Sequence, residues 1–148
     1  MKALIYEQAG GPEVLQYRDE PDPEPGDRDV LIEVAATTVN HLDAIQRNGW
    51  FTMPGFALPH ISGMDIAGTV LEVGAEVSLV KVGDRVLVDP SLSEVPEDSK
   101  LSGMGDLYGE LGILGANVAG GYAEKCLAPE THLHAIPETI SWHQAVMF

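Results

Sequence analysis

The sequence predicts a mainly β domain with short helices and one long irregular lobe, an α+β protein overall. Three observations lead there. Short β-branched runs separated by Gly, Pro and Asp occupy most of the chain, which is the pattern of strands joined by turns. Helix-start signals stand out at two places only, and both open short runs. From 90 to 120, Ser, Glu, Asp and Gly are frequent and apolar residues recur with no clean period, which marks a loop longer than compact domains ordinarily carry.

The first strand is Lys2–Tyr6 and the second covers 14–18. Residues 19–29 hold six acids and three prolines. That combination neither pairs in a sheet nor packs a core, so it reads as a solvated connection. The strand over 30–38 has Glu33 as its one acid among Val, Leu, Ile, Ala and Thr, as in a strand covered over most of its length. Asn40 then caps a short helix, with Asp43 three residues on and Asn48-Gly49 as the stop. Further strands fall at Ile66–Val73, Arg85–Val88, 121–127 and 133–136. Ser141 and Gln144 repeat the capping spacing and open a second helix, of which the chain holds about two turns. A helix that short does not hold itself together. Residues 1–140 therefore read as one domain, and 141–148 as the start of a linker helix in a larger protein. No internal repeat is visible.

Length and charge exclude other classes. With 148 residues and 45% hydrophobic content the chain is long enough for one well-filled core. Against 23 Asp and Glu stand 8 Lys and Arg, a formal net charge of −15, which repels phosphate backbones and anionic lipid. Neither nucleic acid nor a membrane is an expected partner. No signal peptide or spanning segment is visible, so a cytoplasmic protein is expected. The single Cys126 makes no internal disulfide, and its apolar neighbourhood marks it as a core or strand residue rather than a nucleophile. Five His and one Cys form no cluster of zinc-site spacing.

One stretch carries more specific information. Gly63-Met64-Asp65-Ile66-Ala67-Gly68-Thr69-Val70 continues to Gly74 and Val77, followed by Val82-Gly83-Asp84-Arg85-Val86. Spaced glycines permit positive φ or close backbone approach in a curved sheet, while the valines supply core. With the opening Lys2-Ala3-Leu4, Val39-Asn40 before the short helix, Ile113-Leu114-Gly115, and Gly120-Gly121-Tyr122-Ala123-Glu124, the order resembles the N-terminal GroES-like catalytic domain of the medium-chain dehydrogenase/reductase superfamily. That superfamily holds zinc alcohol dehydrogenases and zinc-free quinone oxidoreductases. The resemblance covers nearly the whole chain and implies a partly open β-barrel.

The resemblance also implies where chemistry would lie. The catalytic-zinc ligand positions match Asn40 and Met64, and carboxamide and thioether are poor Zn²⁺ ligands. His41 and His60 are the nearby substitutes. The lobe at 90–120 corresponds to one that holds a structural zinc through four cysteines in many relatives, and those positions match Glu94, Glu97, Lys100 and Tyr108. No metal is therefore expected, and the metal-free, quinone oxidoreductase-like branch is implied. There, NAD(P)H supplies a hydride to a quinone, enone or carbonyl, and the protein positions the substrate. The pocket would be lined by Asn40, His41, Asp43, Ile45, Met64 and Asp65, with Asn40 beside the nicotinamide or substrate, a role compatible with its more ordinary one as the helix N-cap. Asp43 reads first as the capping partner, and otherwise as an orienter behind Asn40 or a proton relay. Leu42 removes the relay hydroxyl of alcohol dehydrogenases, and Ile45 the tyrosine of many quinone and enoyl reductases, which leaves His41 as a candidate proton donor. The run Gly103-Met104-Gly105-Asp106-Leu107-Tyr108-Gly109 lacks the spacing and the preceding strand of a phosphate cradle. The main cofactor site would lie in a dinucleotide-binding domain beyond residue 148. The chain alone is expected to be inactive, and the intact protein a homodimer or tetramer. Two alternatives stay open: a non-catalytic GroES-like binding or scaffold module, and a zinc alcohol dehydrogenase with unusual ligands.

Overall fold

The central strand of the molecule is β3, Asp29–Thr37, which is paired on both sides. Its first four residues, Asp29 to Ile32, are all buried, while Glu33 is exposed, so the strand is covered on both faces over its first half, as the unbroken apolar run in the sequence implies. The computed structural model describes residues 1–93, 95–102 and 112–147. Within them the other strands are β1 Lys2–Tyr6, β2 Gln16–Asp19, β4 His60–Ile61, β5 Ile66–Val73, β6 Arg85–Val88, β7 Ser91–Leu92, β8 Gly112–Ile113, β9 Lys125–Pro129 and β10 Leu133–Ala135. The helices are α1 His41–Arg47 and α2 Trp142–Ala145.

A five-stranded antiparallel sheet has the order β10-β6-β5-β3-β9, a three-stranded one β2-β1-β4, and β7 pairs with β8. The β3–β5 register slips between Leu31 and Ile32 and again between Val34 and Ala36. Each slip adds local twist, and together they curl the five-stranded sheet into the half-barrel expected of a GroES-like domain. Gly68 faces Val34 at the second slip. A Cβ there would lie 2.1 Å from the Glu33 carbonyl oxygen, so only glycine lets the strands close. Val30, Ile32, Ile66, Val70, Val86 and Leu114 form the centre of the core.

The structure shifts some sequence-based boundaries. Pro12–Val14 is a 3-10 turn, because Pro12 fixes φ there, and the second strand starts only at Gln16. The strand expected over 121–127 is β9, starting at Lys125. Its first part is an irregular crossing in which Ala123 bridges Ala3 and the Leu4 N–H donates to the Tyr122 carbonyl at 2.7 Å. The strands β4, β7 and β8 have two residues each, too few to show a period. Glu94, Tyr108 and the glycine-containing run 103–109 lie outside the described residues.

The acidic connection is not solvated throughout. Asp29, at its end, is 0% exposed. Its carboxylate accepts the Ser99 hydroxyl, the Lys100 N–H at 2.7 Å and the Gly26 N–H at 3.0 Å. These donors tie the start of the lobe to β3, and Leu101 enters the core beside them. Glu130 is also buried, accepting the Ser78 and Leu79 N–H groups at 2.7 and 2.9 Å and pairing with Arg28 at 3.0 Å. On the far side of the sheet, α2 packs Ala145 and Val146 with Ala67. Arg85 stacks 4.1 Å over the Trp142 ring and donates to the Pro137 and Ile140 carbonyls, a cation–π contact that fixes the approach to α2.

Asp29→Ala leaves the buried Ser99 hydroxyl and the partly buried Lys100 and Gly26 N–H groups without their acceptor and should cost about 1–3 kcal/mol. A thermal midpoint within a degree of wild type would contradict the anchoring role. Burial alone raises the Glu130 pKa, but the two backbone donors and Arg28 outweigh it and hold the carboxyl below its ordinary value. Its stabilising contribution is then complete above the unfolded pKa, about 4.3, and disappears as the pH falls through the lowered folded value. Thermal melts between pH 6 and 3 should show the gap between wild type and Glu130→Gln narrowing toward acid. A gap that widens would refute this assignment.

Candidate functional site

The chain leaves β3 through Thr38 and Val39 and enters α1 with Asn40 as N-cap, in extended backbone at φ −103° and ψ 157°. Asp43 lies three residues on and closes the capping box, its Oδ2 accepting the Asn40 N–H at 2.7 Å. A seven-residue helix has little stability of its own, so its anchors matter. Its inward face is polar: Asp43 is 7% and Gln46 2% exposed, and the Gln46 side chain donates to the Ala116 carbonyl at 2.6 Å.

Asp43 is held from three directions. Besides the Asn40 N–H, the Tyr122 hydroxyl stands 2.7 Å from Oδ2, and the Gly63 N–H faces Oδ1 at a looser 3.4 Å. The same hydroxyl is 3.1 Å from the Thr38 carbonyl oxygen. Burial first, then the bond to Asp43, pushes the Tyr122 phenol above its ordinary pKa, so it stays protonated. The Tyr122 ring is admitted by Gly63, whose φ is +99° and whose Cβ, if present, would sit 2.5 Å from the ring.

A second carboxylate organises the outer side. Asp65 Oδ2 accepts both the Thr38 hydroxyl and one Asn40 Nδ2 hydrogen, the latter at 2.8 Å. The other contact of Nδ2, to Thr38 Oγ1, is 3.5 Å, too long to occupy its second hydrogen fully. Asn40 is thus fixed at its backbone and at one amide hydrogen, with the other available to an acceptor.

The structure therefore brings Asn40, Asp43 and Asp65 together and adds Thr38 and Tyr122, which the sequence reading did not single out. Met64 and Ile45 are half-buried beside them in sequence, and His41 is exposed on the first turn of α1. His60 goes elsewhere. Its ring is buried, bonded to the Gly115 carbonyl at 3.1 Å and packed edge-on against Tyr6 and Phe56, and desolvation lowers its pKa. The amide and thioether at positions 40 and 64 suit hydrogen bonding and packing rather than Zn²⁺. Among the described residues no group of three or more His, Cys, Asp or Glu is placed to hold a metal. In the lobe, Glu97 is exposed and Lys100 reaches Glu24 at 3.7 Å. An open, mostly apolar groove of about 610 Å³ runs along β3, lined by Leu4, Tyr17, Thr37 and Tyr122 among others, but by none of Asn40, His41 or Asp65.

Residues 26–138 match the family model of the alcohol dehydrogenase GroES-like domain. The chain belongs to this family. This GroES-like domain is similar to the quinone oxidoreductase of Sus scrofa, with 34% identity over 145 residues, 97% of this chain and 36% of that protein. It is similar to an alcohol dehydrogenase of Schizosaccharomyces pombe, with 32% identity over 139 residues, 93% of this chain and 39% of the relative. Among solved structures it resembles an NAD-dependent alcohol dehydrogenase at 38% identity and a TM-score of 0.85, covering 100% of this chain and 43% of the other. The GroES-like domain thus spans about two-fifths of the length of such relatives. No helix among its described residues is long and apolar enough to cross a membrane.

Thiol chemistry has no place in this site. Cys126 is buried in β9 and burial pushes its thiol up to about 12. Native protein at pH 8 should leave Cys126 unlabelled by a soluble disulfide reagent, with one thiol appearing on denaturation. Fast labelling of the native chain would overturn that reading.

Proposed function

We propose that this chain is the catalytic, substrate-positioning domain of a metal-free NAD(P)(H)-dependent oxidoreductase that reduces a quinone, enone or carbonyl. Residues 1–140 form this unit, and 141–148 lead toward a dinucleotide-binding domain that holds most of the cofactor. The observation that carries the proposal is the held Asn40, anchored by Asp65 and by its own backbone while one amide hydrogen stays available. A fixed donor of this kind can hold the carboxamide of a nicotinamide or orient a substrate carbonyl without reorganising during the reaction.

NAD(P)H supplies the hydride when bound. Every other task falls to residues of this chain. Asn40 orients the acceptor oxygen, and Asp65 and Thr38 hold Asn40. Val39, Trp50 and Phe51, at 82%, 78% and 53% exposure, offer apolar surface flanking α1 to a flat, weakly polar substrate. The reduced substrate needs a proton, and Leu42 and Ile45 have none to give. We assign that proton to His41, whose imidazole is exposed on the same turn. Partners are then a small-molecule substrate and the cofactor, in a cytoplasmic homodimer or tetramer.

The similarity to alcohol dehydrogenases supports a second reading, oxidation and reduction of an alcohol–carbonyl pair at the same Asn40. The full-length protein, assayed with NADH and NADPH against quinones, enones and aldehydes, separates the two. We expect turnover that survives chelators, is absent from the isolated 148 residues, and falls roughly 100-fold in kcat/KM in Asn40→Ala. The pH profile should change in His41→Ala. Stoichiometric zinc with chelator-sensitive turnover would establish the zinc enzyme instead, and a well-folded full-length protein that binds neither nucleotide would establish a non-catalytic module.

A further inference from the structure

We propose that Tyr122 is the positioning residue of the Asn40 site, acting through Asp43 and the Thr38 carbonyl rather than on the substrate. The inference rests on the reading of Asn40 given above and extends it to a residue that lies 82 positions further along the chain.

The segment that presents Asn40 is a three-residue crossing between β3 and α1. One phenol hydroxyl touches both of its ends: 3.1 Å from the Thr38 carbonyl oxygen at the start, and 2.7 Å from the Asp43 carboxylate that takes the Asn40 N–H at the finish. The Thr38 side chain in turn meets the Asp65 oxygen that holds the Asn40 amide. Displacing Tyr122 therefore loosens the backbone anchor of Asn40 directly and its side-chain anchor through Thr38.

Tyr122 itself stands on a rigid frame. Its N–H donates to the Ser62 carbonyl at 2.9 Å, and its carbonyl accepts the Leu4 N–H at 2.7 Å. Gly63 leaves the ring the space that a Cβ would fill. The backbone around the ring is thus held independently of the hydroxyl, which is the group that bonds to the crossing and to Asp43.

A proton-donor role does not suit this phenol. Loss of its proton would place a phenolate against the Asp43 carboxylate, and like charges at that distance are strongly unfavourable. The bond that makes Tyr122 a clamp makes it a poor acid.

The test uses full-length protein carrying Tyr122→Phe, Asn40→Ala and both changes, with NADPH or NADH and a quinone or enone that wild type reduces. Tyr122→Phe should lower kcat about 10-fold while leaving nucleotide affinity and the pH profile in place. In the double variant kcat should match Asn40→Ala alone within about twofold, because the hydroxyl has nothing left to position. Losses that multiply, or an unchanged kcat in Tyr122→Phe, overturn the proposal, as does a variant that fails to fold, which would make the hydroxyl a part of the fold alone. A second readout is independent of turnover. The side-chain amide resonances of Asn40 in ¹⁵N NMR should shift and broaden in Tyr122→Phe and be restored by no change of substrate. Resonances identical to wild type overturn the positioning role even in a protein whose reaction differs from the one proposed, whereas shifted resonances in an enzyme inactive on these substrates would leave Tyr122 in place and retire only the reaction.

Discussion

Most of what is specific about this domain converges on one buried carboxylate. Asp43 terminates the free N–H of the helix cap, receives the Tyr122 hydroxyl and faces the Gly63 N–H. Those three donors come from the N-cap of α1, from the crossing before β9 and from the turn before β5, so one side chain ties together segments about 20 and about 80 residues apart. A buried acid costs several kcal/mol unless its lone pairs are filled. The cost explains why the surroundings are so constrained: each donor must arrive at its place, and a glycine must make room for one of them.

The same logic recurs at a distance from the site. A net charge of −15 suggests an acidic coat, yet Asp29, Asp43 and Glu130 are all inside. Each is satisfied mainly by backbone N–H groups and hydroxyls, with Arg28 as the one cation among them. Backbone donors cannot move away as a long side chain can, so these acids fix loops rather than merely neutralise charge. The excess of acids over bases makes this economical in residues, since eight Lys and Arg are too few to pair with every carboxylate.

Periodicity made the long strands legible. β3 and β5 were visible because their β-branched, apolar residues run nearly unbroken between turn residues, and α1 because Asn40 and Asp43 announce a cap. The inward face of α1 was not, since Asp43 and Gln46 look like solvent-facing residues until the Ala116 carbonyl and Tyr122 hydroxyl are placed beside them. Asp29 was hidden for a related reason: it closes a run of acids and prolines in which no other residue is buried. Asn40 and Asp65 could be chosen through family likeness, but the bond between their side chains spans 25 residues and leaves no local pattern. Tyr122 was legible only as one apolar residue in an expected strand. The hint was Gly63, whose missing side chain is the imprint of that ring.

The attachment of the lobe to β3 bears on the conditions the domain can tolerate. A segment hung from a carboxylate by a serine hydroxyl and one peptide N–H group contains nothing in that attachment that an oxidant can convert or a chelator can strip. Cysteine-held lobes depend on the supply of a metal and on a reducing environment. Residues 95–102, by contrast, keep their hold through Asp29 whatever the redox state of the surroundings, a useful property for a domain whose proposed work is to stand beside electron-transfer chemistry.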